Sequence, residues 1–167
     1  MEKSSKSLMD TNNPVDKSDI KINRLRNVVV IDKAGYLSYS RLKMSVPFGE
    51  FGSASIFRKG GLEVYVEAIP LDEAFENIPY VKLLKVDVEG SEYEVLQGLN
   101  KTLNHTEYVV LELSRKADDC LKLLRERGFK CRKMKFSGYY VCCKGEEVIN
   151  LLFEAETLSL KLTRRFD

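Results

Sequence analysis

The stretch from Tyr80 to Gly98, YVKLLKVDVEGSEYEVLQG, constrains the fold more than any other. It opens on an apolar run, Val81 to Val88, interrupted by Lys82, Lys85 and Asp87. A run of this length bounded by turn signals suits a strand buried in a sheet. Asp87 and Glu89 close it two residues apart, so extended geometry would point both carboxylates to one face. Gly90 permits a sharp turn. Ser91 and Glu94 have the S-x-x-E spacing of a capping box, which predicts the start of a helix. Val95, Leu96, Leu99 and Leu103 supply its apolar stripe. In an open α/β sheet ligands bind just beyond the carboxyl ends of the strands, where this acidic corner falls.

The flanking segments extend the same pattern. Ile20 to Leu25 reads as the last turns of a helix. The β-branched run Val28 to Ile31 predicts a strand. Ala34-Gly35 then predicts a turn, and the alternation from Tyr36 to Val46 a half-exposed strand. Gly49, Gly52, Gly60 and Gly61 mark a loop. Leu62 to Ile69 alternates as a further strand that Pro70 stops, before a helical turn over Leu71 to Glu76. Tyr108 to Leu113 predicts a strand carrying Glu112. Lys116 to Arg127 has helical spacing, with Gly128 placed to end it. Phe129–Phe136 and Tyr139–Cys143 read as a hairpin about Ser137-Gly138. The tail from Glu146 to Asp167 fits helix and strand equally. Strands alternating with helices predict an α/β sheet, parallel in the middle, with an antiparallel C-terminal hairpin edge. Residues 1–19 are expected to be disordered or loosely attached, and residues 20–167 to form one domain.

Composition narrows the function classes. A chain of 167 residues with net charge +2 is too weakly basic to argue for nucleic acid. The basic alternation Lys130, Arg132, Lys133 and Lys135 reads better as the solvated face of an edge strand. No apolar run approaches the ~20 residues of a membrane span, and the N-terminus has no signal-peptide centre. A cytoplasmic chain is expected, with its four cysteines reduced. Neither they nor the single histidine, His105, have zinc-ligand spacing. His105 is expected to be solvated.

KVDVEGSEYEVLQG resembles the K-[IV]-D-x-E-G-x-E-x-x-x-L-x-G signature of the FkbM-type S-adenosylmethionine-dependent methyltransferases. The segments IKINRLRNVVVIDKAGYLSYSRL, AIPLDEAF and YVVLELS resemble the passages around it, so the similarity runs from Asp19 to Cys143. The resemblance implies a Rossmann-like class I methyltransferase sheet. Full-length members open with a strand and a glycine-rich loop for the cofactor's methionine part, then a second strand ending in an acid for the ribose. The residues before Ile20 contain no glycine, so a truncated version of that sheet is expected.

By that resemblance, Asp87, Glu89 and Glu112 are the catalytic candidates, and Asp87 and Gly90 the cofactor-binding ones. The corner would face the reacting end of S-adenosylmethionine and the hydroxyl of a sugar or other small metabolite. A carboxylate there is placed to take the hydroxyl proton as a general base. The plainer reading makes these residues helix-start carboxylates and ion pairs, Glu112 with Lys85 or Arg115. Lys85, inside an apolar strand, is expected to be buried and paired. Magnesium is also conceivable on Asp87, Glu89 and Glu112, but nothing else in the sequence supports a metal. Phe48, Phe51 and Phe57 either line an acceptor pocket or cap the core. The rival to an enzyme is a catalytically inactive remnant acting as an interaction module. Its open sheet edge, at Val28–Ile31 or the signature strand, would be covered by a second copy or a partner chain.

Overall fold

The computed structural model describes residues 17–48, 53–135 and 137–145. Phe51, the expected loose N-terminus up to residue 16 and the undecided tail from residue 146 lie outside them. Helix α1 (Lys17–Ile22) is the first described element, and its start overlaps the segment expected to be loose. Three strands follow, β1 (Ala34–Tyr36), β2 (Ser40–Val46) and β3 (Leu62–Pro70). They form a sheet in the order β1-β3-β2. The short helix α2 (Leu71–Ala74) leads into β4 (Val81–Val86) and α3 (Glu92–Gln97). A 3₁₀ turn (Thr102–His105), β5 (Thr106–Glu112), α4 (Ala117–Glu126), β6 (Lys130–Lys133) and β7 (Tyr139–Cys143) complete the fold. The second sheet runs β4-β5-β7-β6.

The molecule is α/β, but its sheets are mixed rather than mostly parallel. Among the described residues only β1 with β3 and β4 with β5 run parallel; the other strand pairs are antiparallel. Connection length explains this. The β4–β5 crossover carries α3, whereas β6 and β7 are joined by a short turn that permits only antiparallel pairing.

The core lies between the β4–β5–β7 face and the helices. Val95, Leu96, Leu99 and Leu103, the predicted stripe, are all buried, and they meet Leu84, Val86, Val109, Leu111, Cys120, Leu124 and Phe129. Full burial of one such aliphatic side chain contributes roughly 1.5–3 kcal/mol. Gly98 ties this core to the first sheet: a Cβ there would overlap the Tyr36 carbonyl oxygen. The signature glycine is therefore required where the end of α3 meets β1. The Asp72 N–H donates to the Gly98 carbonyl at 2.9 Å, docking α2 on the same spot. Gly128 closes α4 at φ 83, as predicted.

Several expectations fail for identifiable reasons. Val28–Ile31 forms no strand, and Val29 is 87% exposed. A β-branched run needs a ladder partner, and none of the described residues provides one. Ala34-Gly35 lies in β1 instead of a turn. Ser91 is the N-cap of α3 but makes no side-chain cap bond, so the capping box does not form. Its Glu94 pairs with Lys116 instead. The helix ends at Gln97, and Leu99 and Leu103 are buried from the turns beyond it. Lys85 is exposed on the edge strand β4, not buried. His105 is half-buried in the 3₁₀ turn, with a buried Nε2 that has no partner among the described residues. Cys131 and Cys142 lie directly opposite across β6 and β7 and form a disulfide, while Cys120 and Cys143 are free and buried. No helix among the described residues is long and apolar enough to cross a membrane.

Candidate active site

The site candidates gather where β4 and β5 end. Asp87 stands just past β4, its side chain 30% exposed, with the Lys85 ammonium 2.8 Å from its Oδ2. The Tyr139 hydroxyl donates to the same oxygen at 3.1 Å. Tyr139 opens β7 and pairs in register with Glu112, the last residue of β5. Gly138 leaves room for Glu112, whose Oε1 is 3.1 Å from the place a Cβ would occupy. Two parallel strands and an antiparallel neighbour thus bring Asp87, Glu112 and Tyr139 to one end of the sheet.

Glu89 arrives by a different route from the expected one. It is not extended: its φ is 50, and Gly90 follows at φ 101. Left-handed backbone is costly for a residue with a Cβ. The Ser91 N–H closes the turn on the Val88 carbonyl at 3.3 Å, and three side chains brace it. The Ser55 hydroxyl donates to the Glu89 carbonyl at 2.7 Å, and the Gly90 N–H donates to Glu92 Oε1 at 2.8 Å. Arg115 Nη1 donates to the Gly90 carbonyl at 3.1 Å, and its guanidinium stacks 3.3 Å from the Phe57 ring centroid. Phe57 therefore neither caps the core nor stands free, and Phe48 is exposed.

The carboxylates interact although extended geometry is not what joins them. Burial first, then the charges of Asp87 and Glu112, push the Glu89 carboxyl above its ordinary value, with Arg58 opposing. The hydrogen bond to Asp87 and that charge likewise raise the Tyr139 phenol. Asp87 raises Lys85 in the same way. Among the described residues no group of three or more acidic, histidine or cysteine side chains is arranged to hold a metal ion. The corner can accept protons and hydroxyl hydrogen bonds. The raised Glu89 carboxyl holds a proton more readily than an ordinary glutamate.

Sequence reasoning placed Asp87, Glu89, Glu112 and Gly90, and the structure puts them in one corner. It missed Tyr139, Ser55, Arg58, Arg115 and Glu92 as members. Tyr139 becomes visible once β7 is registered against β5. Ser55 lies 34 residues from Glu89, and no spacing signal links them. A polar groove of about 380 Å³ between α3 and α4, lined by Tyr93, Gln97, Asn100, Lys122 and Arg127 among others, shares no residue with the corner.

Residues 6–131 match the family model described as the Methyltransferase FkbM domain. A hexuronic acid methyltransferase, AglP, from Haloferax volcanii is 33% identical over 84 residues, 48% of this chain and 34% of that protein. The alignment therefore spans about a third of that relative's length. No solved structure matches the chain at a significant level.

Proposed function

The chain belongs to the FkbM methyltransferase family, and on that premise we propose that it serves methyl transfer from S-adenosylmethionine to an oxygen of a sugar or similar small metabolite. The observation that carries this reading is the joining of Asp87, Glu89, Glu112 and Tyr139 at the carboxyl ends of β4 and β5. The sugar acceptor takes further support from the hexuronic acid methyltransferase among the relatives.

The residues present suit one end of the cofactor. A cationic sulfonium and its neighbouring hydroxyl or amino groups match a corner of carboxylates, and Asp87 with the Gly90 backbone are the groups that would face it. When bound, S-adenosylmethionine supplies an electrophilic methyl carbon. The glycine-rich cradle of full-length members has no counterpart among the described residues, so a further segment or subunit against the edge of β4, which no described strand pairs, would supply it. Asp87 would orient the acceptor hydroxyl and take its proton, with Lys85 and Tyr139 fixing the carboxylate. Glu89 and Glu112 would accept the acceptor's other hydroxyls.

Calorimetric titration of the chain with S-adenosylmethionine tests this, followed by label transfer to hexuronic acids and neutral sugars. Micromolar binding, and transfer that Asp87→Asn abolishes, would support it. A second reading, an inactive module that pairs through its sheet edge, rests on β4 being an edge strand with Leu83 58% exposed. Absent cofactor binding together with a dimer by light scattering would favour that reading.

A further inference from the structure

Both carboxylates in the first turn of α3 tie down a loop that holds a left-handed residue. Glu94 Oε1 lies 2.7 Å from the Lys116 ammonium, and Lys116 has φ 46. Glu92 is 1% exposed, and its Oε1 accepts the Gly90 N–H at 2.8 Å. Its Oε2 is 3.5 Å from the Ser114 hydroxyl, a long contact. Burying a carboxylate is costly unless it is satisfied. An apolar side chain of the same volume would fill such a site at lower cost. Packing alone does not account for an acid here.

We propose that Glu92 is a positioning residue, whose buried carboxylate holds the left-handed pair Glu89-Gly90 and so presents the Glu89 side chain beside Asp87 and Glu112. The proposal rests on the reading of this corner as the reacting end of a methyltransferase site. Without the acceptor, the Gly90 N–H loses its partner inside the protein. The strained Glu89 backbone then has one restraint fewer against relaxing toward right-handed geometry, a change that would swing its carboxylate away. Ser55 and Arg115 hold the Glu89 and Gly90 carbonyls, the Ser91 N–H bonds the Val88 carbonyl, and Glu92 holds the Gly90 amide.

The test compares two substitutions in the full chain. Glu92→Gln keeps an acceptor oxygen in place. Glu92→Met fills the volume without one. Glu89 is faced by Asp87 beside it, Glu112 from β5, Arg58 from the loop before β3 and Glu92 from α3. Both substitutions delete the Glu92 charge, so a difference between them reports position. The readout is the Glu89 carboxyl titration by carbon NMR. In the wild type and in Glu92→Gln it stays above the ordinary glutamate value, and in Glu92→Met it falls back toward that value. Equal titrations in the two folded variants overturn the proposal.

Methyl transfer separates this from the function it rests on. A drop in kcat with little change in KM for Glu92→Met, rescued in Glu92→Gln, supports both. A titration difference with no transfer by any form, wild type included, supports the positioning and removes the methyltransferase reading. Should Glu92→Met fail to fold, exchange of the Gly90 amide in the wild type decides. Strong protection supports the bond, and exchange at the rate of an open turn overturns it.

Discussion

Ser55 Oγ donates a 2.7 Å hydrogen bond to the backbone carbonyl of Glu89, across 34 residues of chain. Ser55 is itself fixed: its backbone bridges to Ser45 on β2 through two hydrogen bonds, and its hydroxyl accepts the Phe57 N–H at 3.2 Å. The first sheet thereby holds the acidic turn of the second. Ser55→Ala removes a part-buried bond, and its expected cost is about 1 kcal/mol. Loss of methyl transfer should be larger in proportion, about tenfold or more, because small misplacement of a reacting group is costly. Urea unfolding and steady-state rates measure the two effects. Equal rates in a destabilised variant would show that the bond serves the fold alone.

Glu89→Gly should make the protein more stable and less active. Left-handed geometry costs a side-chain-bearing residue roughly 1–2 kcal/mol, of which glycine's greater unfolded-state freedom returns about half. Electrostatics adds a pH dependence. The folded Glu89 carboxyl is raised, first by burial and then by Asp87 and Glu112. A raised carboxyl favours the fold below its unfolded value of about 4.3, and that contribution is lost as pH rises through the folded value. The advantage of Glu89→Gly should therefore grow between about pH 4 and pH 7. It should stay within about 1 kcal/mol of the strain effect, since the side chain is solvated. Unfolding midpoints at the two pH values decide the matter; a variant less stable than wild type at pH 7 would refute the strain argument.

What the sequence revealed follows from how local each signal is. The strand–corner–helix unit around Asp87 and Glu89 was legible because its apolar stripe, its glycine and its acids all lie within one short segment. The corner's other half was not, because Tyr139 reaches Asp87 only through the register of β7 on β5. Val28–Ile31 has strand composition, and composition cannot supply a neighbour. Ser91 and Glu94 have capping-box spacing, but Lys116, 22 residues on from Glu94, takes the carboxylate. Glu92 lies within the signature, but its burial and its bond to the Gly90 N–H depend on how the turn folds and not on spacing.

The disulfide between Cys131 and Cys142 can be tested by counting thiols. The loop it closes is short, with a sequence separation of 11, and cross-linking such a loop stabilises by up to about 3 kcal/mol. Burial pushes the Cys120 thiol up to about 12, so a native sample at pH 8 should barely react with alkylating reagent there. Unfolding without reductant should release two thiols, those of Cys120 and Cys143, and reductant should expose the remaining pair. A full set of reactive thiols before reduction would rule the bond out.

Asp72 links acid to the anchoring of the helical layer. Burial disfavours its charge, but the N–H groups of Lys101 and Thr102 and the Thr102 hydroxyl overcome this and hold its carboxyl below the ordinary value. Those bonds measure 2.8, 2.7 and 2.7 Å, so Asp72 on α2 caps the start of the 3₁₀ turn that follows α3. Asp72→Ala should cost about 1–3 kcal/mol at neutral pH, since it strands part-buried donors. Asp72→Asn keeps one acceptor oxygen and should cost less. A depressed carboxyl stabilises above its unfolded value of about 3.9, and the benefit disappears as pH falls through the lower folded value. The gap between wild type and Asp72→Ala should therefore be wide at pH 7 and close steadily in acid. A gap that stays constant from neutral pH to roughly pH 2 would mean that the bonds act through shape rather than charge.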